Sequence, residues 1–220
     1  YGFGCIKYWG VILMEQKSMT ALICAFARAW HAENRKVRIF DDPVAKKLIS
    51  DEIYTQIASH MADGISFFNP QFSGNRDEAL AWIVDNQLSP SPLGRSAFAE
   101  RALATATRIG AGQYLILAAG YDTFAYRQPD WAGKMQIFEI DHPAASRDKQ
   151  ERAEAAGLTV PPNVHFIAAD FTDEAWLAAL TCHEAFRPAK ISICSLLGLV
   201  YYLPRDVFVR LLSAIGTILT

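Results

Sequence analysis

The chain has 220 residues, 51% of them hydrophobic and 20% charged, with a formal charge of −2 at pH 7. That length holds one sizeable domain with its own core, and that composition excludes extended disorder. Lys and Arg are scattered among acids without a basic stripe, which argues against a nucleic-acid backbone as partner.

Residues 1–13 read as a tag or a fragment edge, because "MEQKSMTALICAFARAW" from Met14 looks like a more natural beginning. The apolar run "WGVILM" is too short to cross a bilayer, and no cleavable signal precedes it. Cys5, Cys24, Cys182 and Cys194 stand far apart with no C-x-x-C pair, so neither a disulfide framework nor a zinc site is expected. Reduced thiols fit a cytoplasmic protein. Helical spacing follows at 19–32, a helix start at "DDPVAKKLIS", a loop at 64–75, and helical patterns at "RDEALAWIVDNQL" and "SAFAERALATATRI", separated by the break "SPSPLG". Residues 14–110 are therefore expected to form an N-terminal helical cap.

The rhythm changes from residue 111. Short apolar runs at 113–119, 135–140, 164–169 and 191–197 alternate with helical segments beginning at Pro143, Thr172 and Pro204, the last ending at Gly216. Nearly continuous apolar strands separated by helices predict an α/β, Rossmann-like core over 111–220, with a mostly parallel sheet covered on both faces. "GTILT" reads as the start of a fifth strand, which would leave the sheet short of its C-terminal strands.

Such sheets bind ligands beyond the carboxyl ends of their strands. Acids stand at three of these ends: Asp122 after Gly120, Glu139 and Asp141 around the second strand end, and Asp170 after the third. An acid about twenty residues beyond a glycine loop suits ribose hydroxyls, a spacing that both Glu139 and Asp141 meet. The loop itself, "AAGYDT", carries a carboxylate that would repel a pyrophosphate but attract an ammonium or a sulfonium. S-adenosylmethionine fits that loop, and NAD does not. Asp170 could accept from an adenine amino group, with Phe171 offering its N–H and an apolar wall. Each acid also has a plainer role: Asp170 as a helix cap, Asp122 as a turn residue, Glu139 as a solvated strand end.

The segments "LILAAGYDTFAYR", "IFEIDHPAASRDKQ", "FIAADFTDEAW" and "LLGLVYYLPRDVFVRLLSAI" together resemble the leucine carboxyl methyltransferase-like family of S-adenosylmethionine-dependent O-methyltransferases, over about residues 15–216. The resemblance implies a class I methyltransferase fold. It also implies that Gly120 and Asp122 cradle the methionine end of the cofactor, that Asp141 with Glu139 takes the ribose, and that Asp170 and Phe171 hold the adenine. Arg95 matches the family arginine that engages the cofactor carboxylate, and Lys17 stands near an N-terminal basic position. Two departures are plain: Ala118 replaces the loop's first glycine, and Leu197 stands where the family's A-E-G-L-L-x-Y-L pattern has an acid.

Methyl transfer to a carboxylate of a small molecule or peptide end needs no base, whereas transfer to a hydroxyl does. No histidine is placed for that duty, since His142 reads as exposed and His165 as packed inside a strand. Tyr201 and Tyr202 are expected to line the acceptor pocket. Two alternatives stand beside this reading: a non-catalytic fragment or pseudoenzyme of the same fold, and an NAD-dependent oxidoreductase. "NPQF" at 69–72 echoes a nucleobase-methylating motif but lacks its second proline and reads as a turn.

Overall fold

A computed structural model describes residues 19–171 and 175–219. Residues 1–18, Lys17 among them, and the expected helix cap Thr172 lie outside the described residues. Helix α1, Met19–Asn34, is apolar around most of its circumference and is buried accordingly, from Leu22 and Phe26 to Trp30. The "DDPVAKKLIS" stretch forms only a 3-10 turn, Ala45–Leu48. Helix α2, Asp51–Asp63, starts after it, where Ser50 accepts from the Ile53 N–H and two acids occupy the first turn. The expected loop at 64–75 holds a single helical turn, α3 (Ile65–Phe68).

Helix α4, Arg76–Ile83, opens on a reciprocal capping box between Asn75 and Glu78 and runs into a π turn, Val84–Leu88. Helix α5, Pro92–Arg108, begins inside the expected "SPSPLG" break. Proline is tolerated at the first helical position because its missing N–H would have no partner there.

Four strands follow: β1 (Gln113–Leu117), β2 (Gln136–Asp141), β3 (Val164–Ala168) and β4 (Ser192–Leu196). All pairings are parallel, in the order β3-β2-β1-β4. The expected α/β architecture is thus present, with α6 (Pro143–Ala155) between β2 and β3, α7 (Ala175–Thr181) between β3 and β4, and α8 (Arg205–Ile218) after β4.

Every residue of β1 is buried, because helices cover both faces. Leu115 and Leu117 pack with residues of α7 and α8, while Tyr114 and Ile116 pack with Leu103 of α5. The N-terminal helices share a further cluster with Tyr121 and with Ala153 of α6. The expectation of a fifth strand starting at "GTILT" is corrected. Val207, Leu211, Ile215 and Ile218 recur at helical spacing and are buried, so α8 runs through Gly216 to Ile218.

The chain steps outward from β1 to β2 and β3, then crosses back to place β4 on the other side of β1. Loops that leave β1 and β4 in opposite directions open a crevice at their carboxyl ends, and that crevice is where this architecture holds ligands.

Candidate functional site

A cavity of about 620 Å³ lies at that switch point. Its floor is the loop after β1, Ala118 to Asp122; Asp141 and Asp148 flank it from β2 and α6, and Leu197 to Leu199 follow β4. Helix α1 closes it with Thr20, Ile23, Cys24 and Arg28, and the start of α5 contributes Pro92, Arg95 and Ser96.

The loop is held in an unusual backbone path. Gly120 has φ +49 and Ala118 has φ +52, a left-handed conformation that alanine adopts at a cost of about 1–2 kcal/mol. Its stability comes from tethers on every side. The Gly120 N–H donates to Asp141 Oδ2 at 2.6 Å, and the His142 N–H donates to Asp141 Oδ1 at 2.7 Å. Asp122 Oδ1 accepts from the Phe124 N–H at 2.8 Å, so the plainer turn role and the cavity position coincide in one side chain. The Tyr121 carbonyl accepts from Arg28 Nη2 at 2.6 Å, and the Tyr121 hydroxyl donates to Asp148. Burial, then the Asp148 carboxylate, raises that phenol above its ordinary range.

Of the expected site residues, Arg95, Gly120, Asp122, Asp141, Tyr201 and Tyr202 come together around this one cavity. Arg95 lies against Gly198, where a Cβ would stand 2.9 Å from its Nη1. Its Nη2 donates to Cys24 Sγ at 3.2 Å, and no carboxylate pairs with it among the described residues. Tyr201 and Tyr202 are exposed at the mouth, and the Tyr202 hydroxyl donates to Thr20 Oγ1 across it at 2.8 Å.

Glu139 is not among the lining residues. It is 2% exposed and pairs with Lys149 Nζ of α6 at 2.5 Å, so the expectation of a solvated strand end or a ribose ligand at this position is corrected. Burial pushes its pKa up to about 7, opposed by the Lys149 charge. Asp170 and Phe171 follow β3, beyond the lining: Asp170 is exposed, and the Phe171 ring packs on Trp176. His142 is exposed, as expected, and also caps α6 by accepting from the Ala144 N–H; His165, expected to pack within its strand, stacks on Phe138 of the neighbouring β2.

Sequence reasoning missed Arg28, Asp42, Thr123 and Asp148. A signal existed for the first: an arginine amid the apolar run "ICAFARAW" must find a buried partner. That partner is Asp42, 2.8 Å away and fully buried.

The family model described as leucine carboxyl methyltransferase matches residues 21–216. The chain belongs to the leucine carboxyl methyltransferase family. It is 39% identical over 203 residues to a Bacillus subtilis protein provisionally named an S-adenosyl-L-methionine-dependent methyltransferase, covering 90% of this chain and 66% of that protein. A Mycobacterium tuberculosis relative with the same provisional name is 32% identical over 212 residues, covering 94% of this chain and 56% of its own length. A third, from Saccharopolyspora erythraea, is 29% identical over 209 residues, covering 95% of this chain and 65% of its own. The chain thus spans 56–66% of the length of these relatives. Among the described residues, no helix is long and apolar enough to cross a membrane.

Proposed function

We propose that this chain carries the cofactor site of an S-adenosyl-L-methionine-dependent O-methyltransferase acting on a carboxylate or hydroxyl of a small molecule or peptide end. One observation carries the reading: a single cavity at the switch point is lined by the carboxylates of Asp122, Asp141 and Asp148 and by the guanidinium of Arg95, which has no carboxylate partner among the described residues. S-adenosyl-L-methionine has cationic sulfonium and ammonium groups and an anionic carboxylate, so a two-signed site fits it. The volume of about 620 Å³ also falls within the roughly 300–1,000 Å³ of small-molecule sites.

When bound, the cofactor supplies an electrophilic methyl group for in-line displacement. The chain's own part is to hold and align. In this reading Asp122 faces the methionine end, Arg95 pairs its carboxylate, and Asp141 has lone pairs left for ribose hydroxyls after accepting from Gly120 and His142. Asp170 and Phe171 flank the adenine once it extends past β2, a role supported by the backbone bond that ties the Ala169 N–H to the Asp141 carbonyl at 2.8 Å. The acceptor enters between Tyr201, Tyr202 and α1, where Ile23, Leu88, Pro92 and Leu199 give an apolar wall that excludes water. Alignment of acceptor and methyl then supplies much of the acceleration.

Titration calorimetry with S-adenosylhomocysteine tests the reading. The chain is expected to bind it, and Asp141→Ala to weaken binding by about tenfold or more, because a charge-assisted bond is lost. Unchanged affinity in Asp141→Ala, or preferential binding of NAD, would overturn it.

A further inference from the structure

The loop after β1 is tethered from two directions, and one set of tethers comes from outside the sheet. Asp42 is fully buried and belongs to the turn between α1 and α2. Its carboxylate accepts from Arg28 Nε at 2.8 Å, from Thr123 Oγ1 at 2.7 Å and from the Ala45 N–H at 3.1 Å, with Arg127 Nε 3.4 Å away. Arg28 extends the network to the Tyr121 carbonyl. Thr123, 1% exposed, uses its hydroxyl in both senses, donating to Asp42 and accepting from Arg127 Nε at 2.8 Å. Arg127 is anchored in turn by Glu100 of α5. Neither Asp42 nor Thr123 lines the cavity, so whatever they do for a ligand they do through the loop.

We infer that Asp42 and Thr123 are positioning residues, through which the N-terminal helices fix the Gly120–Thr123 loop in its ligand-ready path. The physical need is specific. Two positions either side of Ala119, Ala118 and Gly120, adopt left-handed backbone conformations, and the alanine does so against its own Cβ. Without external restraint such a segment relaxes toward ordinary dihedrals and carries Asp122 with it. A buried carboxylate whose donors come from α1, from its own turn and from the loop is a rigid fixture, because each bond strengthens in the low-dielectric interior and none can be exchanged for water. The N-terminal region thereby becomes part of the cofactor site although most of its residues never face it. This inference rests on the cofactor reading above.

Thr123→Val tests it, since the shape is kept and only the hydroxyl is lost. S-adenosylhomocysteine affinity is measured by titration calorimetry for the wild type, Thr123→Val, Thr123→Ser and Leu180→Ala, with a thermal melt of each ligand-free protein. Leu180, fully buried in α7, is a control for destabilisation remote from the loop. Thr123→Val is expected to bind about tenfold more weakly, Thr123→Ser to restore affinity, and Leu180→Ala to melt lower while binding within about twofold of wild type. Thr123→Val affinity within about twofold of wild type, or an equal loss in Leu180→Ala, overturns the inference and leaves the cofactor reading standing. A wild-type chain that does not bind overturns both.

Discussion

Ala118 shows how one methyl group weighs on a site. At φ +52 its Cβ crowds the following carbonyl, at about 1–2 kcal/mol. Ala118→Gly removes that strain but frees the unfolded chain, which offsets about 0.4–1 kcal/mol. The variant is therefore expected to gain up to about 1.5 kcal/mol, read by chemical denaturation; a loss would mean that the methyl packs productively in the cavity wall. Gly198 is the opposite case. It sits at φ +92 with the Arg95 guanidinium where a Cβ would go, so Gly198→Ala is expected to displace that guanidinium, lower stability by about 1 kcal/mol or more, and weaken S-adenosylhomocysteine binding. A melt and a titration on the same sample check both. At this scale the sequence was only partly legible. Spacing from Gly120 admits Glu139 and Asp141 equally, and strand alternation puts both on one face of β2. What separates them is Lys149, which reaches from α6 to bury Glu139 in an ion pair while Asp141, two residues on, emerges at the strand end. No local pattern reveals a partner ten residues away across a helix.

Elements were more legible than side-chain roles, because their signals are local. The four apolar runs became the four strands with their ends moved by one or two residues, and α6 begins at the proline that announced it. The misreadings share one cause: tertiary burial overrode punctuation. Gly216 looks like a stop, yet a Cβ there would meet open space, and the buried Ile215 and Ile218 on either side carry the helix through. Proline in "SPSPLG" looks like a break, yet Pro92 opens α5 and is itself buried. The capping box of α4 offers an element-level test. The Asn75 side chain accepts from the Glu78 N–H at 3.0 Å, while the Glu78 carboxylate accepts from the Asn75 N–H at 2.8 Å. Asn75→Ala is expected to cost about 1 kcal/mol in denaturant melts, and Asn75→Asp to retain most of that stability. Equal losses from the two would show that the cap does not govern this helix end.

Across the whole molecule, the helical region and the sheet are joined by buried polar links such as Asp42–Thr123, and a further buried link inside the helical region is sensitive to protons. His31, 4% exposed at the end of α1, accepts from the Ile39 N–H at its Nε2, 3.1 Å away. That bond needs a neutral ring. Burial chiefly, with Arg35 and Arg38 adding to it against Asp85 and Asp41, lowers the folded-state pKa of His31 from 6.5. As pH falls, the unfolded chain therefore takes up this proton first. The stability that His31 contributes is complete above about 6.5 and declines as pH drops below it. Burial raises Glu100 and Glu139, which acts in the opposite sense over part of the same range, so the pH dependence of the wild type alone would mix the two. Comparison with His31→Gln cancels the carboxylates, because both proteins contain them. The wild type is expected to exceed His31→Gln in urea midpoint at about pH 7.5, and that margin to shrink at about pH 5.5. A margin that stays constant or widens on acidification would show that the His31–Ile39 link does not require the neutral ring.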